Sequence, residues 1–212
     1  IGWQPDPSPD TRAYVILQGI GTVWTPIDTV FGINNTFLQT TVNASGGVYP
    51  FELIAVDSCG NPSAQSPPHS TIFLHGSFDR CSRSISLEWN AYTYWNAPVR
   101  YDIWRIAVGG IFQLIGSTAA TRFTDTTILS GINYCYQIIA HDPTMTKSSS
   151  SSDFCFTPSF ATVPSFCVIR SVSFVAENTV QVKVAIDPAG AVQTFRLLRS
   201  GSASGTFSPV AS

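Results

Sequence analysis

The chain has 212 residues, a formal net charge of −2 and 11% charged residues. Nucleic acid is excluded as a partner, because phosphate binding needs a basic surface and no cluster of Lys and Arg is present. No apolar run approaches the roughly 20 residues that span a bilayer, so we predict no membrane insertion. Abundant Gly, Pro, Ser, Thr and aromatic residues are typical of an all-β protein rich in turns.

The first predicted strands lie at the start of the chain. Ile1-Gly2-Trp3 and Tyr14-Val15-Ile16 are apolar runs on either side of a proline-containing loop, which indicates two strands. Further along, Tyr49-Pro50-Phe51-Glu52-Leu53 carries large apolar residues on every second position. A period of two turns one row of side chains toward a core and the other outward.

The same pattern returns about 85 residues later, a period close to the size of one small sandwich. Leu87-Glu88-Trp89 and Tyr101-Asp102-Ile103 repeat the two strands, and Tyr134-Cys135-Tyr136-Gln137-Ile138 repeats the alternating row. After Pro164 a third version begins, with Val180, Val182 and Val184 on alternate positions. Self-similarity of this kind predicts a tandem array of like modules.

We predict three copies in the array. The first copy (1–74) is a sandwich that lacks its first strand, the middle copy (75–160) is a complete sandwich, and the third copy (164–212) is the first half of another. The outer copies are therefore truncated, and we expect the chain to be a section of a longer polypeptide. No Gly/Ser linker separates the copies, which predicts stiff joints.

Several motifs resemble a known family. Three motifs resemble those of fibronectin type III modules: Trp89 on the second strand, Tyr101-x-Ile103-x-Arg105 on the third and Tyr134-x-Tyr136-x-Ile138 on the sixth. The resemblance implies an all-β fold with tandem immunoglobulin-like sandwiches. The phrases Asp57-Ser58-Cys59-Gly60-Asn61 and Gly131-Ile132-Asn133-Tyr134 resemble repeats of gliding-motility-associated surface proteins of Bacteroidetes. That resemblance implies export by the type IX route and an extracellular or cell-surface location.

The five cysteines are interpreted through the topology of that family. There, Cys135 and Cys155 lie on neighbouring antiparallel strands, which implies a disulfide with both cysteines on the outward face. The topology also allows a bridge from Cys81 to Cys167 across the second joint. Cys59 lies in a loop at the far end of the first copy, and its partner is not assigned.

The chain carries none of the motifs of nucleophilic, metal or nucleotide chemistry. His69, His75 and His141 are separated by strands or copies and share no zinc-ligand spacing. We therefore predict no enzyme activity, no metal and no cofactor. Arg105 is expected to face outward as a framework residue, and the serine run 148–152 is expected to be a solvated loop tip.

Tyr92, Tyr94 and Trp95 are the candidate binding residues, since all three fall in one loop. Their rings can stack on sugars or anchor a protein partner. Alternatively, they bury against the preceding copy and stiffen the joint. The predicted function is a structural spacer or adhesion module of a larger cell-surface protein, and the alternative is a carbohydrate-binding accessory array of a polysaccharide-degrading enzyme. The expected partners are a surface protein or glycan and the remainder of its own longer chain.

Overall fold

The computed structural model describes residues 1–43, 46–95, 98–107, 109–190 and 192–211. Every regular element in these ranges is a β-strand, and the chain forms two compact units, residues 1–158 and 159–212. No described residue belongs to a helix with the length and apolarity needed to cross a membrane. The domain boundaries drawn from the repeat stay a prediction.

The first copy contributes one four-stranded antiparallel sheet to the first unit. Its strands are β1 (Thr11–Ile20), β2 (Val23–Phe31), β3 (Pro50–Asp57) and β4 (His69–Ser70), in the order β2-β1-β3-β4. Tyr14 and Ile16 of β1 are completely buried, and Ala13 and Leu17 are 4% exposed, so burial along β1 departs from a strict period of two. The row along β3 is less buried, with Phe51 at 8% exposure and Tyr49 only half-buried. Where a strand is predicted from Ile1 to Trp3, the described residues form an isolated antiparallel bridge between Gly2 and Phe37.

The middle copy forms two sheets. Its strands are β5 (Leu74–Asp79), β6 (Ser84–Trp89), β7 (Arg100–Ala107), β8 (Gln113–Thr118), β9 (Arg122–Asp125), β10 (Tyr134–His141), β11 (Ser148–Ser150) and β12 (Phe154–Phe156). One sheet has the order β5-β6-β9, and the other has the order β11-β10-β7-β8 with β12 also paired to β10. Two antiparallel sheets in this arrangement form an immunoglobulin-like sandwich of the fibronectin type III kind.

The core of the middle copy confirms the alternation seen in the sequence. Tyr134, Tyr136, Ile138 and Ala140 are all buried, while the residues between them are half-buried. Trp89 is 4% exposed and packs edge-on against the ring of Tyr101 at 5.5 Å. The pairing order β8-β7-β10-β12 repeats the order β2-β1-β3-β4, with β12 and β4 each paired to the first residues of β10 and β3, so the repeat in the sequence is a repeat of sheet topology.

The second unit contains two hairpins. Its strands are β13 (Cys167–Ala176), β14 (Thr179–Ile186), β15 (Leu197–Arg199) and β16 (Ser208–Ala211). β13 pairs with β14, and β15 pairs with β16, both antiparallel. Apolar side chains of the first hairpin are largely exposed, including Phe174 at 83% and Val172 at 61%.

A disulfide joins β10 to β12. Cys135 and Cys155 are directly opposite each other in the ladder and are bonded, with their Cα atoms 4.0 Å apart. Cys155 is exposed and Cys135 is half-buried, because their neighbours Tyr134 and Tyr136 occupy the core row. The pairing and the outward orientation expected from the family topology are confirmed.

The outward placement expected for Arg105 is wrong. Its side chain is only 17% exposed and lies on the inward row of β7, where Nη1 is 2.7 Å from Oδ2 of Asp125. Asp125 also accepts hydrogen bonds from the Tyr136 hydroxyl at 2.9 Å and from the backbone N–H of Thr127 at 2.8 Å. The guanidinium also stacks over the ring of Tyr134 at 5.1 Å, an arrangement that compensates its partial desolvation.

The serine run is also not a loop tip. Ser148–Ser150 forms β11, and Ser151 is 7% exposed. The hydroxyl of Ser151 accepts a hydrogen bond from the backbone N–H of Ile138 at 2.9 Å. A small hydroxyl can therefore serve a buried backbone donor that a longer side chain would block.

Candidate functional site

The two copies of the first unit meet along one continuous stretch of chain. Three residues, Thr71 to Phe73, separate β4 from β5. The middle of them, Ile72, is 1% exposed and forms a parallel bridge with Ser151, and its carbonyl accepts a hydrogen bond from the N–H of Ser152 at 3.1 Å. The connecting backbone is thus held by an isolated β-bridge and a backbone hydrogen bond.

Asn90, just after β6, clamps this stretch from the side. The Phe73 N–H donates to Asn90 Oδ1 at 2.7 Å, and Asn90 Nδ2 donates to the carbonyl of Thr71 at 3.1 Å. One amide therefore satisfies both a donor and an acceptor of the connecting backbone. Asn is suited to this because its side chain carries both groups on one rigid plane.

A second contact across the joint couples His69 of the first copy to Tyr92 of the middle copy. Their Nδ1 and Oη atoms are 3.1 Å apart, and the rings are tilted by 42°. Burial lowers the pKa of His69, and the positive charge of Lys147 lowers it further. Burial raises the pKa of Tyr92, against a smaller opposite effect of its hydrogen bond with Ser149. At neutral pH the pair is therefore a neutral imidazole and a neutral phenol.

Around these contacts lies a cleft of about 790 Å³, which we call the aromatic cleft. One wall comes from the first copy and the other from the middle copy. Its aromatic side chains are Trp3, Phe51, His69, Tyr92, Tyr94 and Trp95. Its hydroxyl groups include those of Ser66, Ser70, Thr71, Ser148, Ser149 and Ser150.

The three candidate residues Tyr92, Tyr94 and Trp95 all line this cleft, but they are not equivalent. Tyr92 is half-buried and engaged with His69, whereas Tyr94 is 59% exposed. Trp95 is half-buried and packs on Tyr92, with ring centroids 4.1 Å apart and planes tilted by 40°. The loop therefore contributes one ring to the joint and one to solvent, and the rings do not form a coplanar platform.

A polar cluster on the outer face of the larger sheet was not predicted from the sequence. Asp102 of β7 is 7% exposed. Its Oδ1 atom accepts hydrogen bonds from Ser117 Oγ at 2.6 Å and from Arg100 Nε at 2.9 Å. Its Oδ2 atom lies 3.3 Å from Nε2 of His141. Burial by itself raises the pKa of Asp102, but the hydrogen bonds from Ser117 and Arg100 outweigh it, so the net pKa is lowered. Ser117 donates to the carboxylate and not to His141, so the cluster is not a serine–histidine relay.

The remaining ligand-type residues stay apart. Within the described ranges, no group of three or more His, Cys, Asp or Glu side chains is arranged to hold a metal ion. The thiols of Cys59, Cys81 and Cys167 are free and exposed. Cys81 lies in the turn between β5 and β6, and Cys167 belongs to the second unit. The bridge between them stays a prediction.

No family model and no curated protein matches this chain. Among solved structures, it is similar to the chicken interferon gamma receptor alpha chain, with 12% identity, coverage of 75% of this chain and 91% of that chain, and a TM-score of 0.36. It is also similar to a two-domain fibronectin type III segment of chicken tenascin, with 15% identity, coverage of 74% and 90%, and a TM-score of 0.32. The fold assignment rests on the strand order of the middle copy and not on these likenesses.

Proposed function

We propose that the chain is a non-catalytic, extracellular β-sandwich array that acts as a structural spacer or adhesion module of a larger cell-surface protein. The observation that carries the proposal is the joint between the first and middle copies. A spacer must transmit orientation from one module to the next, and a joint that exchanges hydrogen bonds along its whole length does so.

The joint is stiff for three independent reasons. Its backbone is short and paired with Ser151 and Ser152, so it has little freedom to rotate. Asn90 holds it from the side, and the contact of His69 with Tyr92 adds a point of attachment away from the chain axis. Contacts at separate positions around an axis oppose bending in more than one direction.

The disulfide supports the extracellular part of the proposal. Disulfides such as Cys135–Cys155 persist in oxidising compartments and are rare in the cytosol. The charge-poor surface fits a secreted module as well. The finer assignment to type IX-exported gliding-motility proteins is a proposal that depends on the sequence motifs around Asp57 and Gly131.

The joint can be tested with thiols that the chain already has. In a Cys167→Ser variant of the full chain, spin labels on the exposed Cys59 and Cys81 lie in the first and middle copies, respectively. We expect pulsed electron–electron spectroscopy to give one narrow distance distribution. Adding Asn90→Ala should broaden it, and adding Asn34→Ala, at an exposed position away from the joint, should not. A broad distribution before any joint residue is changed would contradict the spacer proposal.

A further inference from the structure

We propose that the aromatic cleft binds a neutral oligosaccharide. The inference rests on the proposed rigid joint, because the two walls of the cleft come from different copies and must hold their relative positions. It goes beyond a spacer, because a stiff joint alone needs neither an exposed ring nor a cleft lined with hydroxyl groups.

The aromatic rings supply the stacking surface that a sugar needs. The C–H face of a pyranose is apolar and packs flat against an aromatic ring, as other apolar groups do. Tyr94 is 59% exposed, its ring centroid is 6.2 Å from that of His69, and Trp95 lies beside Tyr92 in the same loop. The tilt of 40° between Tyr92 and Trp95 favours a single, bent chain over the flat surface of a crystalline polysaccharide.

The polar lining matches the hydroxyl groups of a sugar. Serine hydroxyls both donate and accept hydrogen bonds, and β11 lines the cleft with Ser148, Ser149 and Ser150. The charged side chains among the lining residues are Glu52 and Lys147, which are opposite in sign, and the low pKa of His69 keeps its ring neutral. Such a surface offers no net field to attract a polyanion or polycation, so the ligand it suits is uncharged.

The backbone conformation of Tyr94 also supports a binding role for its ring. Its φ is +67°, in the left-handed region that a bulky residue adopts at a cost in free energy. Strained residues of this kind occur preferentially at binding and active sites. The volume of about 790 Å³ lies within the usual range for small-molecule sites and accommodates a short oligosaccharide.

Isothermal titration calorimetry on the full chain tests the proposal. The probes are neutral gluco-, manno-, xylo- and N-acetylglucosamine oligosaccharides of about four to six units, a length that fits a cleft of this size. We expect at least one to bind with a Kd of about 1 mM or lower. Tyr94→Ala should weaken that binding about tenfold. Phe112→Ala, which removes a ring of 41% exposure that does not line the cleft, should leave it unchanged.

The outcomes separate this inference from the spacer proposal. A narrow spin-label distribution with no binding of any probe, or with equal binding by the Tyr94→Ala variant, overturns the cleft site and leaves the spacer standing. A broad distribution with no binding overturns both. Because Tyr94 is exposed, its replacement should keep the wild-type circular dichroism spectrum, so that a lost affinity reports on the ring itself.

Discussion

Arg105 and Asp125 form an ion pair that links the two sheets of the middle copy. Arg105 lies on β7 of the larger sheet and Asp125 on β9 of the smaller one, with Nη1 and Oδ2 2.7 Å apart and side-chain exposures of 17% and 2%. The hydroxyl of Tyr136, on β10, reaches the same carboxylate oxygen at 2.9 Å. A single buried carboxylate therefore connects strands of both layers.

Removing the carboxylate should destabilise the first unit strongly. Asp125→Ala leaves the guanidinium of Arg105 buried without its counter-charge, and we expect the free energy of unfolding to fall by about 3 to 5 kcal/mol. Glu88→Ala is the matched control, because that side chain is 63% exposed and its carboxylate lies 3.5 Å from His75 Nε2. The replacement should change stability by less than about 0.5 kcal/mol. Urea denaturation measures both, and equal effects would contradict the structural role assigned to Asp125.

The stability of the fold should decrease in acid. Burial by itself raises the pKa of Asp125, but hydrogen bonds from Thr127, Arg105 and Tyr136 outweigh it, and the net pKa is lowered. The pKa of Asp102 is lowered as well. The stabilisation from a carboxylate with a lowered pKa is present above the unfolded value of about 3.9 and is lost as the pH falls through the folded value.

Urea denaturation at a series of pH values from about 6 down to about 2 measures this loss. The wild-type chain should lose stability progressively below about pH 4, and Asp125→Asn should show a shallower dependence, because one of the contributing carboxylates is gone. A flat profile for the wild type over this range would contradict the lowered pKa values.

The disulfide should contribute about 3 kcal/mol to stability, mainly by restricting the unfolded chain, since its cysteines are 20 residues apart. We expect the Cys135→Ser/Cys155→Ser variant to unfold at a lower urea concentration than the wild type. Dithiothreitol should lower the wild-type midpoint to that of the variant and leave the variant unaffected. If dithiothreitol lowered the urea midpoint of both proteins by the same amount, the effect would come from a group other than this disulfide.

Replacing Ser151 should destabilise the fold more than replacing an exposed serine of the same run. Ser151→Ala leaves the N–H of Ile138 without the side-chain partner it has at 2.9 Å, in a buried position, and should cost about 1 to 3 kcal/mol. Ser150→Ala, at an exposed position, should change the urea midpoint little. Equal costs at the two positions would show that the hydroxyl of Ser151 is not the stabilising group.

The sequence predicted the features that depend on the period of two along a strand and on the order of strands in a sheet. The alternation from Tyr134 to Ala140 indicates which row is buried, because a strand has a strict period of two, and the repeat predicts that copies share a strand order. The pairing of Cys135 with Cys155 is what the resemblance to fibronectin type III topology implies, and the ladder between β10 and β12 confirms it. These inferences do not depend on the length or the contacts of any individual side chain.

What the sequence did not predict depends on compensation between groups distant in the chain. A charged residue is usually solvated, yet Asp125, 20 positions away, makes the inward position of Arg105 favourable. The serine run has the composition of a loop, and only the backbone N–H of Ile138 reveals why Ser151 is buried. The unequal roles of Tyr92 and Tyr94 similarly depend on His69, a residue of the preceding copy.

The central claim is that the joint fixes the orientation of the first copy relative to the middle copy, and residual dipolar couplings of the full chain in a weakly aligning medium test it most directly. Backbone N–H couplings from β1 and β3 should fit the same alignment tensor as those from β7 and β10, in magnitude and in direction. Two tensors of clearly different magnitude would mean that the copies reorient independently, and would contradict the account.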